Sequence, residues 1–275
     1  MPELPEVETI RRQLEKEIVG SRVAAVTVRF GKRLKPSAAA VKRAAAGGKI
    51  LSVGRRAKLL LINLDTGWTL AAHLKMTGKF LINAPGTEPG KHTHLIFDLA
   101  DGRRLFFNDV RKFGYLRAVR TERLEKEVFA EAGYGPEPLA RDFTAERLAA
   151  CIRPRPGKPI KPLLMDQTCV AGIGNIYADE ACWLAGIRPD RRVKTLTESE
   201  TRRLHRGIVD CLRRSVRLRG TSADDYADLY GQPGRNQLKL EVYGREGERC
   251  RRCGGTVKKI RLGGRAAHYC PGCQV

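Results

Sequence analysis

The sequence predicts an α+β protein of several domains: an N-terminal β-sandwich or flattened barrel, a helical region and a C-terminal zinc ribbon. Between residues 23 and 119, short β-prone runs such as RVAAVTVRF and HLIFDLADGRRLFFNDV are separated by Gly, Asn and Asp, a pattern typical of strands joined by turns. After residue 144 the apolar residues recur at helical spacing. Near the C-terminus, two Cys-x-x-Cys pairs have zinc-site spacing. A chain of 275 residues accommodates two modest domains and a small appendage.

The chain starts with a predicted amphipathic helix from about Pro5 to Val19. Apolar residues recur there at spacings of three and four: Val7, Ile10, Leu14 and Ile18. Pro5 suits the first position of a helix, and Glu6 lies where the helix dipole favours negative charge. Helix formation does not account for Pro2 and Glu3.

The domain boundaries follow from composition. Gly and Pro cluster in GYGPEPLARD, which predicts a linker over residues 133–143 after an N-terminal domain of residues 1–132. A helical domain over 144–242 and a zinc finger over 243–275 complete the predicted organisation.

Four helices are predicted in the helical domain: 145–151, 160–167, 176–185 and 198–218. Thr197 and Glu200 form a predicted capping box at the start of the last helix. Residues 221–242 contain many Gly, Asp and Ser, so we expect a mobile loop there.

The eight cysteines fall into two groups. Two pairs near the C-terminus are separated by sixteen residues: Cys250, Cys253, Cys270 and Cys273. Four thiolates complete the tetrahedral coordination of Zn²⁺ and leave no position for a substrate water, so we expect one structural zinc ion per chain. The other four are isolated and are predicted to be buried free thiols without a function: Cys151, Cys169, Cys182 and Cys211.

The net charge indicates a polyanionic partner. The chain has 52 Lys and Arg against 30 Asp and Glu, a formal charge of +22 spread over every segment. A membrane surface would also attract such a charge, but no apolar run approaches the roughly 20 residues that span a bilayer, and no signal-peptide pattern is present. We therefore expect an intracellular protein that binds nucleic acid.

Several short motifs are compatible with either nucleic-acid contact or an ordinary structural role. The GIGN turn that ends at Asn175 either holds one phosphate at a helix start or is a plain turn. Arg111 and Phe113 suit a wedge into a base stack, whereas His73 and Met76 lie where packing is the usual role. Four basic residues of the predicted ribbon hairpin face solvent or contact phosphates: Lys258, Lys259, Arg261 and Arg265.

Pro2 and Glu3 have a chemical interpretation besides that of an ordinary frayed terminus. If Met1 is removed, Pro2 exposes a secondary amine whose pKa, about 8 for an α-amino group, leaves a nucleophilic fraction at physiological pH. Its adduct with a sugar aldehyde carbon is an iminium without an N–H proton to lose, and this fixed charge promotes elimination of phosphate from the sugar. Glu3 is close enough in sequence to exchange protons with the opening sugar ring.

The chain resembles the bacterial formamidopyrimidine-DNA glycosylases. The resemblance extends over essentially the full length and is based on these motifs, in order: PELPEVETIRR, RRAKLLL, HLKMTGKF, KHTHLIFD, NDVRKFGYL, GPEPL, IKPLLMDQTCVAGIGNIYADEACWLAGIRP, VYGREGERC and CPGCQ. It implies an N-terminal β-sandwich, a helix–two-turns–helix domain and a zinc finger. It also implies removal of oxidised purines from damaged double-stranded DNA, chiefly 8-oxoguanine opposite cytosine and formamidopyrimidines, followed by β,δ-elimination at the abasic site.

The resemblance also implies roles for single residues. Pro2 would be the Schiff-base nucleophile, Glu3 the general acid at the sugar and Glu6 a supporting carboxylate. Lys58 would donate a proton in β-elimination and Arg265 in δ-elimination. The DNA-binding set consists of His73, Met76, His92, Arg111, Phe113, Lys161 and Asn175, of which Met76, Arg111 and Phe113 would fill the gap left by the flipped nucleotide. We expect a cytoplasmic monomer that binds a short duplex between its two domains.

Three departures from the family pattern concern DNA contacts. Arg235 and Asn236 stand where relatives often have an aromatic pair, and Ala267 stands where a threonine is usual. Pro156 stands where relatives carry a basic DNA contact, for which Arg155 or Lys158 would substitute. Two other functions stay open: an endonuclease VIII-type glycosylase for oxidised pyrimidines, whose start resembles PEGPE where this chain reads PELPE, and a non-catalytic zinc-ribbon DNA-binding protein.

Overall fold

The computed structural model describes residues 1–223 and 225–275, and the chain divides into two compact units. The first unit comprises Met1–Ala132 with Leu218–Arg235, and the second comprises Gly133–Arg217 with Asn236–Val275. The segment after residue 217 thus belongs with the N-terminal β-domain, although composition placed it in the helical domain. Among the described residues, no helix is both long and apolar enough to span a membrane.

The first unit is a β-sandwich, as predicted. Its strands are β1 (Val23–Val28), β2 (Leu34–Lys35), β3 (Ile50–Arg56), β4 (Leu59–Leu64), β5 (Trp68–His73), β6 (Gly78–Asn83), β7 (Thr93–Leu99), β8 (Arg104–Asp109) and β9 (Tyr115–Arg120). One sheet has the order β1-β7-β8-β6 and the other β2-β9-β5-β4-β3. The pairing is antiparallel except between β2 and β9.

A continuous apolar core contains side chains from both sheets. Leu60 and Leu70 contribute from the five-stranded sheet, while Phe80, Leu95 and Phe107 contribute from the four-stranded one. The rings of Phe80 and Phe107 lie 5.1 Å apart in a tilted arrangement that aromatic pairs favour. Burial of these large side chains supplies the main driving force for the sandwich.

Helix α1 (Leu4–Ile18) packs on β3 and β4, and all four residues of the predicted apolar face are fully buried. The periodicity prediction is confirmed, with a start one residue earlier than expected. Helix α2 (Ala38–Ala45) was not predicted. The hydroxyl of Ser37 caps it by accepting a hydrogen bond from the N–H of Ala40 at 3.1 Å. Its alanine-rich sequence carries too weak a hydrophobic pattern to indicate a face.

The second unit contains four helices at the predicted places: α3 (Ala145–Ile152), α4 (Ile160–Met165), α5 (Asn175–Ala185) and α6 (Glu198–Arg217). The capping box is confirmed, because the N–H of Thr197 donates to Glu200 at 2.8 Å and the N–H of Glu200 donates to the Thr197 hydroxyl at 3.2 Å. Helices α5 and α6 pack together, and apolar residues of α3 and α4 complete this core.

Two of the four cysteines outside the zinc spacing are neighbours. Cys151 and Cys169 have their Cα atoms 5.3 Å apart, within the range that a disulfide bond can span. Tertiary folding brings α3 next to the turn before α5, which spacing alone does not reveal. Cys182 and Cys211 are free and buried, and burial raises the pKa of the Cys182 thiol, so this group stays protonated.

Part of the segment predicted as a mobile loop is bonded to helix α1, and residue 224 lies outside the described residues. The side chain of Gln13 in α1 donates to Asp228 at 2.9 Å and accepts from the N–H of Leu229 at 3.0 Å. Leu229 and Asp228 are fully buried. Residues Asn236–Lys239 form a short 3₁₀ helix.

The C-terminal ribbon consists of β10 (Lys258–Leu262) and β11 (Arg265–Tyr269), paired antiparallel. Gly263 and Gly264 connect them with φ of +55° and +77°, the conformation that a two-residue type I′ turn requires. The predicted two-stranded ribbon is confirmed.

Candidate active site

The carboxylate of Glu6 holds the start of α1 in place. One of its oxygens accepts the N–H of Glu3 at 2.8 Å, and the other accepts the N–H of Thr221 at 2.7 Å. Glu3 and Glu6 are 2 % and 1 % exposed, and Pro2 is also buried. Gly220 makes this approach possible: its φ is +84°, and a Cβ there would lie 2.9 Å from Cγ of Glu6. Glu6 therefore fixes the segment that carries the predicted nucleophile.

Glu6→Ala is expected to lower the free energy of unfolding by about 2–6 kcal/mol, because two buried N–H donors lose their acceptor at roughly 1–3 kcal/mol each. Glu6→Gln keeps one acceptor oxygen, so its free energy of unfolding should decrease less than that of Glu6→Ala. Glu15→Ala, at an exposed site of the same helix, should change the free energy of unfolding by less than about 0.5 kcal/mol. Urea unfolding measures all three. A Glu6→Ala protein as stable as the parent would show that these bonds contribute little.

Lys58 directly precedes β4 and is almost completely buried. The preceding residue, Ala57, has a left-handed conformation with φ of 52°, and its carbonyl accepts a hydrogen bond from Arg55 at 2.9 Å. Arg55 also forms an ion pair with Glu8 of α1 at 3.1 Å. The helix that begins beside Pro2 thus also supports the turn that carries Lys58.

Glu8 stays ionised in this arrangement. Burial by itself would raise the pKa of the Glu8 carboxyl, but Arg12, Arg11 and Arg55 outweigh burial and hold the pKa below its usual range. The charge on Glu8 is therefore available to bind Arg55 throughout the physiological pH range.

His73 is the last residue of β5 and pairs with Leu59 of β4. Leu59 directly follows Lys58 in the sequence. Burial, together with the nearby charges of Lys75 and Lys58, lowers the pKa of His73 to about 3. Its Nδ1 accepts the N–H of Lys75 at 3.0 Å. His73 is consequently neutral at physiological pH, so the predicted contact with DNA would involve an uncharged ring.

A buried carboxylate, Asp109, organises the predicted DNA-contacting loops. It accepts the N–H of Arg111 at 3.2 Å and that of Gly114 at 2.6 Å, and it also accepts the hydroxyl of Thr77, next to the half-buried Met76. The N–H of Asp109 donates to the carbonyl of His92 at 3.0 Å. Four predicted contacts are therefore grouped around this residue: Met76, His92, Arg111 and Phe113.

The loop after Asp109 presents an exposed ring. Phe113 is 44 % exposed, and the guanidinium of Arg111 stacks over it at 4.9 Å. An exposed phenyl ring beside a cation suits insertion next to a DNA base and contact with a phosphate. Asp109 was not predicted from the sequence, because an aspartate before a turn is common and does not indicate buried contacts.

In the second unit, Asn175 is the first residue of α5 and follows the predicted glycine turn. The side chain of Gln167 supports this turn: its oxygen accepts the N–H of Gly172 at 2.9 Å, and its nitrogen donates to the carbonyl of Ile173 at 2.8 Å. Gln167 was also missed, because an amide five residues before a turn has no distinctive pattern.

The placement of Lys161 does not fit the predicted direct contact with DNA. Its side chain is 1 % exposed, and its ammonium pairs with Asp179 at 2.8 Å. The same ammonium donates to the carbonyl of Ala266 in β11. A buried ammonium that is bonded in this way is not available to a phosphate on the surface.

The four ribbon cysteines fit a tetrahedral zinc ion. Their Sγ atoms all lie within 4.8 Å of one another. Cys250 and Cys273 are 3.7 Å apart and Cys253 and Cys270 3.5 Å, close to the edge of about 3.8 Å that Zn–S bonds of about 2.3 Å produce. When bound, zinc would link β11 to the loop before β10. Arg265 is exposed directly after the hairpin turn, at the end of β11 away from these thiols.

Both family models and full-length relatives match this chain. Family models match over residues 1–116 (formamidopyrimidine-DNA glycosylase N-terminal domain), 134–227 (formamidopyrimidine-DNA glycosylase H2TH domain) and 247–275 (zinc finger found in FPG and IleRS). A formamidopyrimidine-DNA glycosylase of Pelotomaculum thermopropionicum is 47 % identical over 100 % of this chain and 99 % of its own. One from Desulfitobacterium hafniense is 46 % identical over 100 % of both. The chain belongs to the formamidopyrimidine-DNA glycosylase family.

Solved structures of formamidopyrimidine-DNA glycosylase agree with this assignment. The Lactococcus lactis enzyme in complex with DNA containing an abasic site has a TM-score of 0.93 and 38 % identity, over 99 % of each chain. A mutant of that enzyme in complex with Fapy-dG-containing DNA gives the same values. Like its family, the chain is a DNA glycosylase with AP lyase activity, and it carries a zinc finger with a structural Zn²⁺ site.

The residues that depart from the formamidopyrimidine-DNA glycosylase pattern differ in their exposure to solvent. Arg235 is exposed, whereas Asn236 and Ala267 are buried, so Arg235 alone of the three presents its side chain to solvent. Near Pro156, Arg155 pairs with Asp166 at 2.7 Å, while Lys158 is exposed. Lys158 is therefore the better substitute for a missing basic contact.

Proposed function

We propose that this glycosylase excises oxidised purines, chiefly 8-oxoguanine and formamidopyrimidines, from damaged double-stranded DNA and then cleaves the abasic strand by β,δ-elimination. The observation that carries the proposal is the buried start of α1, where Glu6 holds Glu3 and the Pro2 segment against Thr221. These two bonds give the N-terminal segment one fixed position, which a reacting amine requires. The relatives are bacterial, which favours action in the bacterial cytoplasm.

The first chemical step joins Pro2 to the sugar. After removal of Met1, the Pro2 nitrogen forms a bond to C1′ while the bond between C1′ and the damaged base breaks, and the base leaves with a proton. Glu3 donates a proton to the ring oxygen, so the sugar opens to an iminium. Because proline is a secondary amine, the iminium nitrogen keeps its positive charge and withdraws electrons from the neighbouring carbon.

Two eliminations follow from that charge. Loss of the C2′ proton expels the 3′ phosphate, and the second elimination expels the 5′ phosphate. We assign proton donation in the first to Lys58, which the Glu8–Arg55 pair positions, and in the second to Arg265 of the ribbon. Neither step needs a metal, so the zinc ion serves to order the ribbon.

DNA binding would use the group around Asp109. Phe113 and Met76 would occupy the space vacated by the flipped nucleotide, and Arg111 would contact the unpaired partner base or its phosphate. Asn175 would hold a phosphate at the start of α5. The formal charge of +22 supplies the general attraction to the duplex.

A preference for oxidised pyrimidines is the second candidate. The Lactococcus lactis enzyme has also been solved with DNA containing an oxidised pyrimidine, at a TM-score of 0.92 and 38 % identity. The PELPE start of the present chain, rather than PEGPE, favours the purine enzyme.

Borohydride trapping on a lesion panel tests the proposal. The mature protein should form a covalent adduct with duplex containing 8-oxoguanine opposite cytosine, at least about tenfold faster than with a thymine glycol duplex. Undamaged duplex of the same sequence is the control. Absence of an adduct with every lesion would refute the Schiff-base mechanism, and faster trapping on thymine glycol would support the pyrimidine enzyme instead.

A further inference from the structure

Strand β11 of the ribbon has two different edges. One edge pairs with β10. On the other, the carbonyl of Ala266 accepts the ammonium of Lys161, and the N–H of His268 donates to Asp179 at 2.9 Å. Residues two apart in a strand direct their backbone groups to the same edge. Side chains of α4 and α5 thus take the place of a third strand.

The pair that binds this edge is isolated from water. Lys161 and Asp179 are 1 % and 0 % exposed, and their charged atoms lie 2.8 Å apart. The ring of His268 approaches the same carboxylate at 3.2 Å. A buried ion pair offsets its desolvation only when its remaining hydrogen-bonding sites are also satisfied. Here β11 supplies one backbone bond to each partner, the carbonyl of Ala266 to Lys161 and the N–H of His268 to Asp179, and these bonds hold β11 beside the two helices.

The zinc ligands that follow β11 lie at the opposite end of the strand from Arg265. Cys270 and Cys273 follow the C-terminal end of β11, whereas Arg265 begins the strand after the glycine turn. At the turn, a Cβ on Gly263 would lie 3.8 Å from Pro162, the neighbour of Lys161. Ala266, the residue bonded to Lys161, directly follows Arg265. The helices therefore restrain the strand where the exposed guanidinium emerges.

We propose that Lys161 and Asp179 are positioning residues for Arg265, which hold the start of β11 so that its guanidinium is presented to the second elimination. The role of Arg265 rests on the proposed function. The buried lysine acts on the reaction through the strand it binds, without touching DNA.

Three variants and one control test this. Lys161→Met removes the ammonium at similar length, but it leaves the Asp179 carboxylate buried without its partner and risks misfolding. The double variant Lys161→Met/Asp179→Asn leaves no buried charge. Arg265→Ala shows the effect of losing the donor itself. Lys194→Met removes one charge from an exposed site of the same unit and serves as the matched control.

The substrate is a duplex with one abasic site, and a denaturing gel separates the β product, with its unsaturated aldehyde end, from the β,δ product, with its 3′ phosphate. For the double variant we expect the ratio of β,δ to β product to fall at least about tenfold, as for Arg265→Ala, while borohydride trapping stays within about twofold of the parent. Hydrogen exchange at residues 265–269 should accelerate at least about tenfold, with one zinc per chain retained. Lys194→Met should match the parent in every measurement.

The proposal is overturned if the double variant keeps the parent's product ratio while Arg265→Ala shifts it, or if trapping and both products fall together. It is also overturned if hydrogen exchange at β11 does not change. If the parent itself forms no adduct, the proposed function fails, and the exchange measurement alone then decides whether the buried pair holds β11.

Discussion

Pro2→Gly is expected to lower the yield of borohydride-trapped adduct on 8-oxoguanine duplex by at least about 100-fold. Glycine keeps an N-terminal amine, but its adduct with the sugar carries an N–H proton and loses its positive charge when that proton leaves. In that neutral form the adduct withdraws electrons less strongly, so elimination is promoted during only part of its lifetime. The measurement is the initial rate of adduct formation on a denaturing gel, with removal of Met1 confirmed by mass spectrometry.

Pro5→Ala is the matched control, because it replaces another buried proline in the first turn of the same helix. Its trapping rate should stay within about threefold of the parent, since Ala is a good helix former at that position. Undiminished trapping by Pro2→Gly would show that another amine is the nucleophile. An equal loss in both variants would indicate damage to α1 instead of lost chemistry.

Cys250→Ser is expected to reduce bound zinc from one per chain to a small fraction, because a structural zinc site draws its stability from the full set of thiolates. The ribbon then loses the link between β11 and the loop before β10, and affinity for damaged duplex should fall at least about tenfold. Metal analysis by mass spectrometry and a binding titration at fixed salt measure the two effects.

Cys211→Ala provides the comparison, since Cys211 is buried in α6 outside the ribbon. This variant should retain one zinc per chain even if its stability decreases through the lost side-chain volume. One zinc per chain in Cys250→Ser would contradict the assignment of the four thiols.

Features that depend on local spacing were predictable from the sequence. The apolar face of α1, the capping box at Thr197 and the paired cysteines each involve residues a few positions apart, where geometry follows directly from secondary structure. Helix α2 is the exception, because alanines favour a helix but do not form a pattern of apolar and polar residues that indicates the buried face. The family resemblance supplied the residue roles that spacing does not indicate.

The supporting residues of the site were not predictable in the same way. Glu6 bonds to a residue 215 positions away, and Asp179 to one 89 positions away. Asp109 and Gln167 bind nearby backbone groups, yet carboxylates and amides are common before turns without such contacts. For Lys161 the family resemblance implied a DNA contact, whereas the side chain is buried and paired with Asp179, which the sequence does not indicate.

The bond between Glu6 and Thr221 has a consequence for anyone who engineers this glycosylase. Changes in the 218–235 segment made to alter substrate choice would also disturb the start of α1 next to Pro2, since Thr221 and Glu3 bond to the same carboxylate and Gly220 packs against it. Selectivity and turnover would then vary together across a mutant library. Gln232 and Pro233 are exposed, so substitutions there offer the better chance of separating the two traits.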